Sequence, residues 1–176
     1  MKREDRRDSS DEKEQKKIIK KCCKTVAKEF NLDLDFSHFD SISKGSGRDG
    51  KYFSRYGKLT PVSVKRNRCK DSKAIDGVVY FRNKETGDCV EVYFFCKFTK
   101  ENGGDQDYIP FEIEITRTCI EKNTDERVVV IFMLEGGYWV PSVISDCDFD
   151  GTKTVYANRD SMTETLNGIL KSHKLV

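Results

Sequence analysis

Asp76, Glu91, Lys97, Glu112 and Glu114 are the residues whose types and spacing suit hydrolytic chemistry. Asp76 opens the run GVVYF, Glu91 and Lys97 lie within DCVEVYFFCKF, and Glu112 and Glu114 lie within FEIEITRTC. Two or three carboxylates hold Mg2+ or Mn2+, and a neighbouring lysine orients or activates the water that attacks a phosphodiester. If these runs are strands, Glu91 and Lys97 share one face, as do Glu112 and Glu114, and adjacent strands lie about 4.8 Å apart. On that reading Asp76, Glu91, Glu112 and Glu114 are the metal ligands, and Asp76, Glu112, Glu114 and Lys97 form the catalytic set.

A second constellation suits phosphate binding. Lys51, Arg55, Lys58, Lys65, Arg66, Arg68 and Lys70 fall in one stretch without an acidic residue, interleaved with Tyr52, Phe53 and Tyr56. Cations meet phosphates while unstacked bases lie on aromatic rings. The alternative is a solvated loop whose charge is offset elsewhere, because the 176 residues carry 32 Lys and Arg against 30 Asp and Glu.

The elements that must position these groups follow from periodicity. Residues 1–8 read as a flexible charged tail, and residues 9–176 as a single domain. Ser9 and Glu12 have capping-box spacing, and Ile18, Ile19, Cys22, Cys23, Val26, Ala27 and Phe30 then form one helical stripe, with lysines over the remainder. A Gly/Ser-rich loop containing His38 follows. From Ile75 onward strands dominate: 78–82, a tight turn at Lys84 to Gly87, a long strand to Phe98, then 111–119, the apolar 128–134, and an edge strand at 138–143 marked by Pro141. Ser161 and Glu164 open a closing helix with Met162, Leu166, Ile169 and Leu170 on its buried side. The fold class is therefore α+β: an N-terminal helix, a mainly antiparallel or mixed sheet of four to six strands, and a C-terminal helix.

Several chemistries are disfavoured. Seven cysteines without a CxxC pair suit reduced, mostly buried thiols in a cytoplasmic or nuclear compartment, and two histidines are too few for a His-rich metal site. There is no apolar run of the roughly 20 residues a bilayer span needs, so no membrane is expected. The opening MKREDRRD carries no apolar stretch, so no secretory signal is expected either. DCDFDG has acids at Asp146, Asp148 and Asp150 but lacks the terminal Glu of a calcium loop. GSGRDGKYF lacks the spacing of a phosphate loop.

The run AIDGVVYF followed by ETGDCVEVYFFCKFT resembles the core of PD-(D/E)xK nucleases, a group that includes restriction enzymes and cap-snatching endonucleases. The resemblance implies that Asp76 leaves one strand and Lys97 ends the acid-x-Lys motif of the next, with Mg2+ or Mn2+ as cofactor and a nucleic acid as substrate. The acidic position of that motif falls on Phe95, so the resemblance implies Glu112 or Glu114 as substitute ligand. Two other readings stand beside it: a non-catalytic module using the basic stretch on nucleic acid, and a protein-interaction domain using the edge strand at 138–143. In both, Glu91, Glu112 and Glu114 belong to a solvated polar sheet face.

Overall fold

The computed structural model describes residues 10–36, 39, 51–61, 74–99 and 109–176. His38, the 62–73 stretch with Lys65, Arg66, Arg68 and Lys70, the 1–8 tail and the Ser9–Glu12 side-chain pair lie outside the described residues. The elements run α1 (Ser10–Glu29), β1 (Leu32–Asp35), β2 (Lys51–Phe53), β3 (Leu59–Pro61), β4 (Gly77–Asn83), β5 (Cys89–Phe98), α2 (Ile109–Glu121), β6 (Val128–Glu135), α3 (Pro141–Asp146), β7 (Thr154–Ala157) and α4 (Met162–Ser172).

The main sheet is five-stranded, in the order β1-β4-β5-β6-β7, and β2 with β3 forms a separate hairpin. β4 runs antiparallel to both of its neighbours, β1 and β5, whereas β5, β6 and β7 are parallel. The sheet is therefore mixed, and the α+β class with helices at both ends holds.

Side chains alternate across β5 as its sequence requires. Val90, Val92, Phe94 and Cys96 join a core with Ile19, Cys23 and Val26 of α1 and Leu166, Ile169 and Leu170 of α4. Tyr93 and Phe95 point the other way, into a second core with Phe53 of β2 and Ile113 and Ile120 of α2. Both faces are thus covered. β6, apolar from Val128 to Leu134, supplies both cores, as a central strand between two layers must.

Two stretches read as strands are helices. Residues 111–119 lie in α2, where Ile113, Thr116, Cys119 and Ile120 are buried at helical spacing and Phe111 is exposed. The alternation of Phe111, Ile113 and Ile115 was too short to outweigh that stripe, and Pro110 suits a first helical turn, where its missing N–H is no loss. Topology requires the helix as well, since parallel β5 and β6 cannot be joined by a hairpin. Likewise 138–143 is a turn leading into α3 with Pro141 in its first turn, and Ile144 N donates to Val140 O. The expected edge strand for a protein partner is therefore absent, and β7 at Thr154–Ala157 supplies the sheet edge instead.

Ser161 precedes α4 as expected, but its hydroxyl accepts from Asn158 N at 3.0 Å and does not cap the helix. Met162, Leu166, Ile169 and Leu170 are the buried side, as their spacing predicts.

Candidate functional site

Asp76 sits immediately before β4, at the sheet end where β5, β6 and β7 terminate. That is the end at which ligands of open sheets with parallel strands bind. Its N–H donates to Phe94 O at 2.9 Å, and its Oδ2 accepts from Cys96 N at 2.7 Å. The carboxylate thus continues the β4–β5 ladder by one rung, standing where a strand carbonyl would stand. The regular register ends at Gly77↔Phe94, and because Asp76 N–H also donates to Phe94 O, Asp76 is an extra residue set against Phe94. Asp76 and Lys97 lie at the same end of the β4–β5 pair.

The predicted carboxylates do not form a three-ligand set. Glu91 lies six residues before Lys97 on β5, about 20 Å away at the rise of a strand. Its Oε2 accepts from Tyr93 OH at 2.7 Å. Burial, followed by that bond, holds the Tyr93 phenol far above its ordinary range. Glu112 is half-buried in the first turn of α2, whereas Glu114 is exposed. Two positions apart on a helix means about 200° of rotation, so the pair does not share the face that a strand would have given it. Among the described residues no three His, Cys, Asp or Glu side chains come together in a way that would hold a metal.

The acidic position of the nuclease-like motif is filled by core. Phe95 is 4% exposed, its ring centroid 5.1 Å from that of Phe132, which is in turn 4.9 Å from Phe149. Trp139 is buried in the same core against Tyr138. The expected solvated sheet face is also corrected, because α2 and the β2–β3 hairpin cover it.

The same sheet end carries groups that motif reading missed. Glu135, 7% exposed, is held by Arg159 Nε at 2.9 Å. Gln15 of α1 donates to Lys97 O and Met133 O, each at 3.4 Å, so it straddles the ends of β5 and β6. A cavity of about 360 Å3 opens there between Phe98, Glu135, Trp139, Tyr156 and Arg159. Glu135 and Arg159 are 24 positions apart, and only a buried Glu at the end of an apolar strand hints at them.

A second cavity, about 720 Å3, lies at the opposite sheet end and contains none of the predicted residues. Within its lining, Arg127 pairs with Asp125 at 2.8 Å, and both ring nitrogens of His173 sit 2.8 Å from backbone carbonyls. Burial pushes the Cys147 thiol up to about 11, and its Sγ contacts Val143 O at 3.3 Å.

The described part of the basic stretch forms the β2–β3 hairpin. Tyr52 and Phe53 are 0% and 1% exposed, so they are core and not base-stacking surfaces, and Lys51 is half-buried. Tyr56, at 58%, projects from the tip beside exposed Arg55 and Lys58, with the Arg55 guanidinium 4.9 Å from its ring centroid. Lys122 at the end of α2 joins them, its Nζ donating to Arg55 O at 3.2 Å. Asn123 Nδ2 donates to Gly57 O at 2.8 Å, and a Cβ at Gly57, where φ is +77°, would stand 2.4 Å from Asn123 N. Glycine is required for so close an approach, and it locks the tip onto the body.

No helix among the described residues is long and apolar enough to cross a membrane. The sequence matches no protein-family model and no curated protein. Among solved structures it has a distant likeness to the MspJI restriction endonuclease in complex with a 27-mer oligonucleotide, with a TM-score of 0.41 and 10% sequence identity. The likeness covers 91% of this chain and 28% of that one, so the chain spans under a third of the endonuclease's length.

Proposed function

We propose that this chain is a nucleic-acid-associated module with a nuclease-like core that grips an exposed strand through the tip of its β2–β3 hairpin. The observation that carries the reading is the braced group of Arg55, Tyr56, Lys58 and Lys122, three cations around a largely exposed ring. Ser54 N donates to Lys58 O at 2.9 Å and Gly57 N to Ser54 O at 2.8 Å, so the tip is preformed. Binding then costs little ordering of the loop. Lys51, and Lys65, Arg66, Arg68 and Lys70 outside the described residues, would contribute further cations to phosphate binding. The test is fluorescence anisotropy on a labelled single-stranded oligonucleotide. Tyr56→Ala should weaken binding by about 1–3 kcal/mol for one lost stacked base, and Arg55→Ala should lower the salt slope by about 0.7. Unchanged affinity and slope in both variants would overturn the reading.

Metal-dependent phosphodiester cleavage is a second reading, favoured by the placement of Asp76 and Lys97 at the same end of the β4–β5 pair. Asp76 would be the first ligand, with Glu112, half-buried in the first turn of α2, as a second candidate. The described carboxylates supply no three-ligand set, so a Mg2+ or Mn2+ ion would depend on phosphate oxygens of the nucleic acid, as Mg2+ sites commonly do. Calorimetric titration of Mn2+ with oligonucleotide present, into wild type and Asp76→Asn, tests it. Equal heats in the two proteins would exclude Asp76 as a ligand.

A further inference from the structure

We propose that the outer face of α1 is a second polyanion surface, one that lies along the phosphate backbone of a nucleic-acid duplex. The proposal deepens the nucleic-acid reading and rests on it for the identity of the polyanion. Lys13, Lys17, Lys21, Lys24 and Lys28 are all exposed. At 3.6 residues per turn their spacing of 4, 4, 3 and 4 confines them to an arc of about 80°, over a length of about 22 Å. The arc lies opposite Ile19, Cys23 and Val26, which bind α1 to the sheet, so the ridge points away from the body.

Glu14 is the sole acid between Lys13 and Lys28, at the margin of the arc, and its contact with Lys17 at 3.6 Å is solvent-exposed on both sides. An exposed pair of this kind is weak and screened, and it leaves Lys17 available to a phosphate. Net charge over the whole chain is only +2, so five lysines in one acid-free arc are a segregated field, not a reflection of composition.

The composition of the ridge selects among polyanions. The large apolar side chains exposed among the described residues are Tyr56, Phe111, Val140 and Val176, none of them on α1. A helix without an exposed apolar edge has nothing to insert beneath lipid headgroups. Without an exposed aromatic ring it also offers no stacking platform for unpaired bases. What remains is a straight row of charges suited to regularly spaced phosphates. α1 and the hairpin pack on opposite faces of the sheet, so the two surfaces are separable.

The test measures anisotropy of a labelled DNA duplex longer than α1 across a salt series. It uses wild type, the combined Lys17→Gln, Lys21→Gln, Lys24→Gln and Lys28→Gln variant, the same four positions changed to Arg, and the Arg55→Ala, Tyr56→Ala hairpin variant. Gln matches Lys in helix propensity, and circular dichroism checks that α1 is retained. Each duplex phosphate contact contributes about 0.9 to the log–log salt slope, so the Gln variant should lose about 2–4 in slope and at least tenfold in affinity at low salt. The Arg variant should keep both. A Gln variant that binds duplex like wild type overturns the ridge and leaves the hairpin reading standing, provided the hairpin variant still fails on single strands. A wild-type protein that binds neither duplex nor single strand overturns both. Loss of binding to phosphatidylserine vesicles, with duplex binding unchanged, assigns the ridge to lipid and overturns the proposal.

Discussion

Asp76 is the residue at which structure and catalysis are most easily confused, and the geometry gives a way to separate them. Its Oδ2 accepts the Cys96 N–H at 2.7 Å where the β4–β5 ladder would otherwise stop, and Cys96 is 6% exposed. Removing the carboxylate leaves that buried amide without its acceptor, at a cost of roughly 1–3 kcal/mol. For a chain of this size each kcal/mol corresponds to about 2–4 °C in Tm, so Asp76→Ala should melt lower by several degrees. Asp76→Asn retains an acceptor oxygen and should cost less than about 1 kcal/mol. Thermal unfolding followed by circular dichroism, on wild type and both variants, reads the difference directly. If Ala and Asn are equally stable, Asp76 does not hold the end of β5. If the anchoring holds, a functional loss in Asp76→Ala alone says nothing about metal, and Asp76→Asn becomes the diagnostic variant.

Other outcomes follow from packing and charge. Gly136 has φ +105°, and a Cβ there would stand 2.0 Å from Thr99 O. Gly136→Ala should therefore cost more than about 2 kcal/mol in urea unfolding, through strain and displacement of the β5 end. Phe95→Glu, which writes the missing acid into the motif, should destabilise by at least about 3 kcal/mol, because it deletes a core ring and buries a charge; a stable variant with new Mn2+ affinity would contradict this. Burial opposes ionisation of Asp150, but backbone N–H groups of Thr154, Thr152 and Lys153 together hold its carboxyl below the usual range. A depressed folded-state pKa contributes stability that is present above the unfolded value near 3.9 and is lost as pH falls through the folded value. Asp150→Asn should therefore flatten the acid limb of the stability curve below about pH 4, and an unchanged limb on urea titration would refute the assignment.

The readings that held were those that one element can settle alone. The stripes of α1 and α4, the turn at Lys84 to Gly87, the two-sided apolar run of β6 and the split faces of β5 are local periodicities. The α+β class follows from them. What failed depended on partners distant in the chain. Residues 111–119 satisfy a strand pattern over five positions and a helical one over the whole segment, and only the need to connect parallel β5 and β6 makes the choice physical. That change of element turns Glu112 and Glu114 from neighbours on one face into side chains on different sides of a helix. Tyr52 and Tyr56 are alike in sequence, four residues apart, yet one is sealed in the body and the other exposed at a hairpin tip. The ladder bond of Asp76 to Cys96 and the Glu135–Arg159 pair join residues 20 and 24 positions apart. Periodicity reports which face of an element avoids water; it carries no information about which other element will cover that face, and the chemistry of this sheet end is decided by that covering.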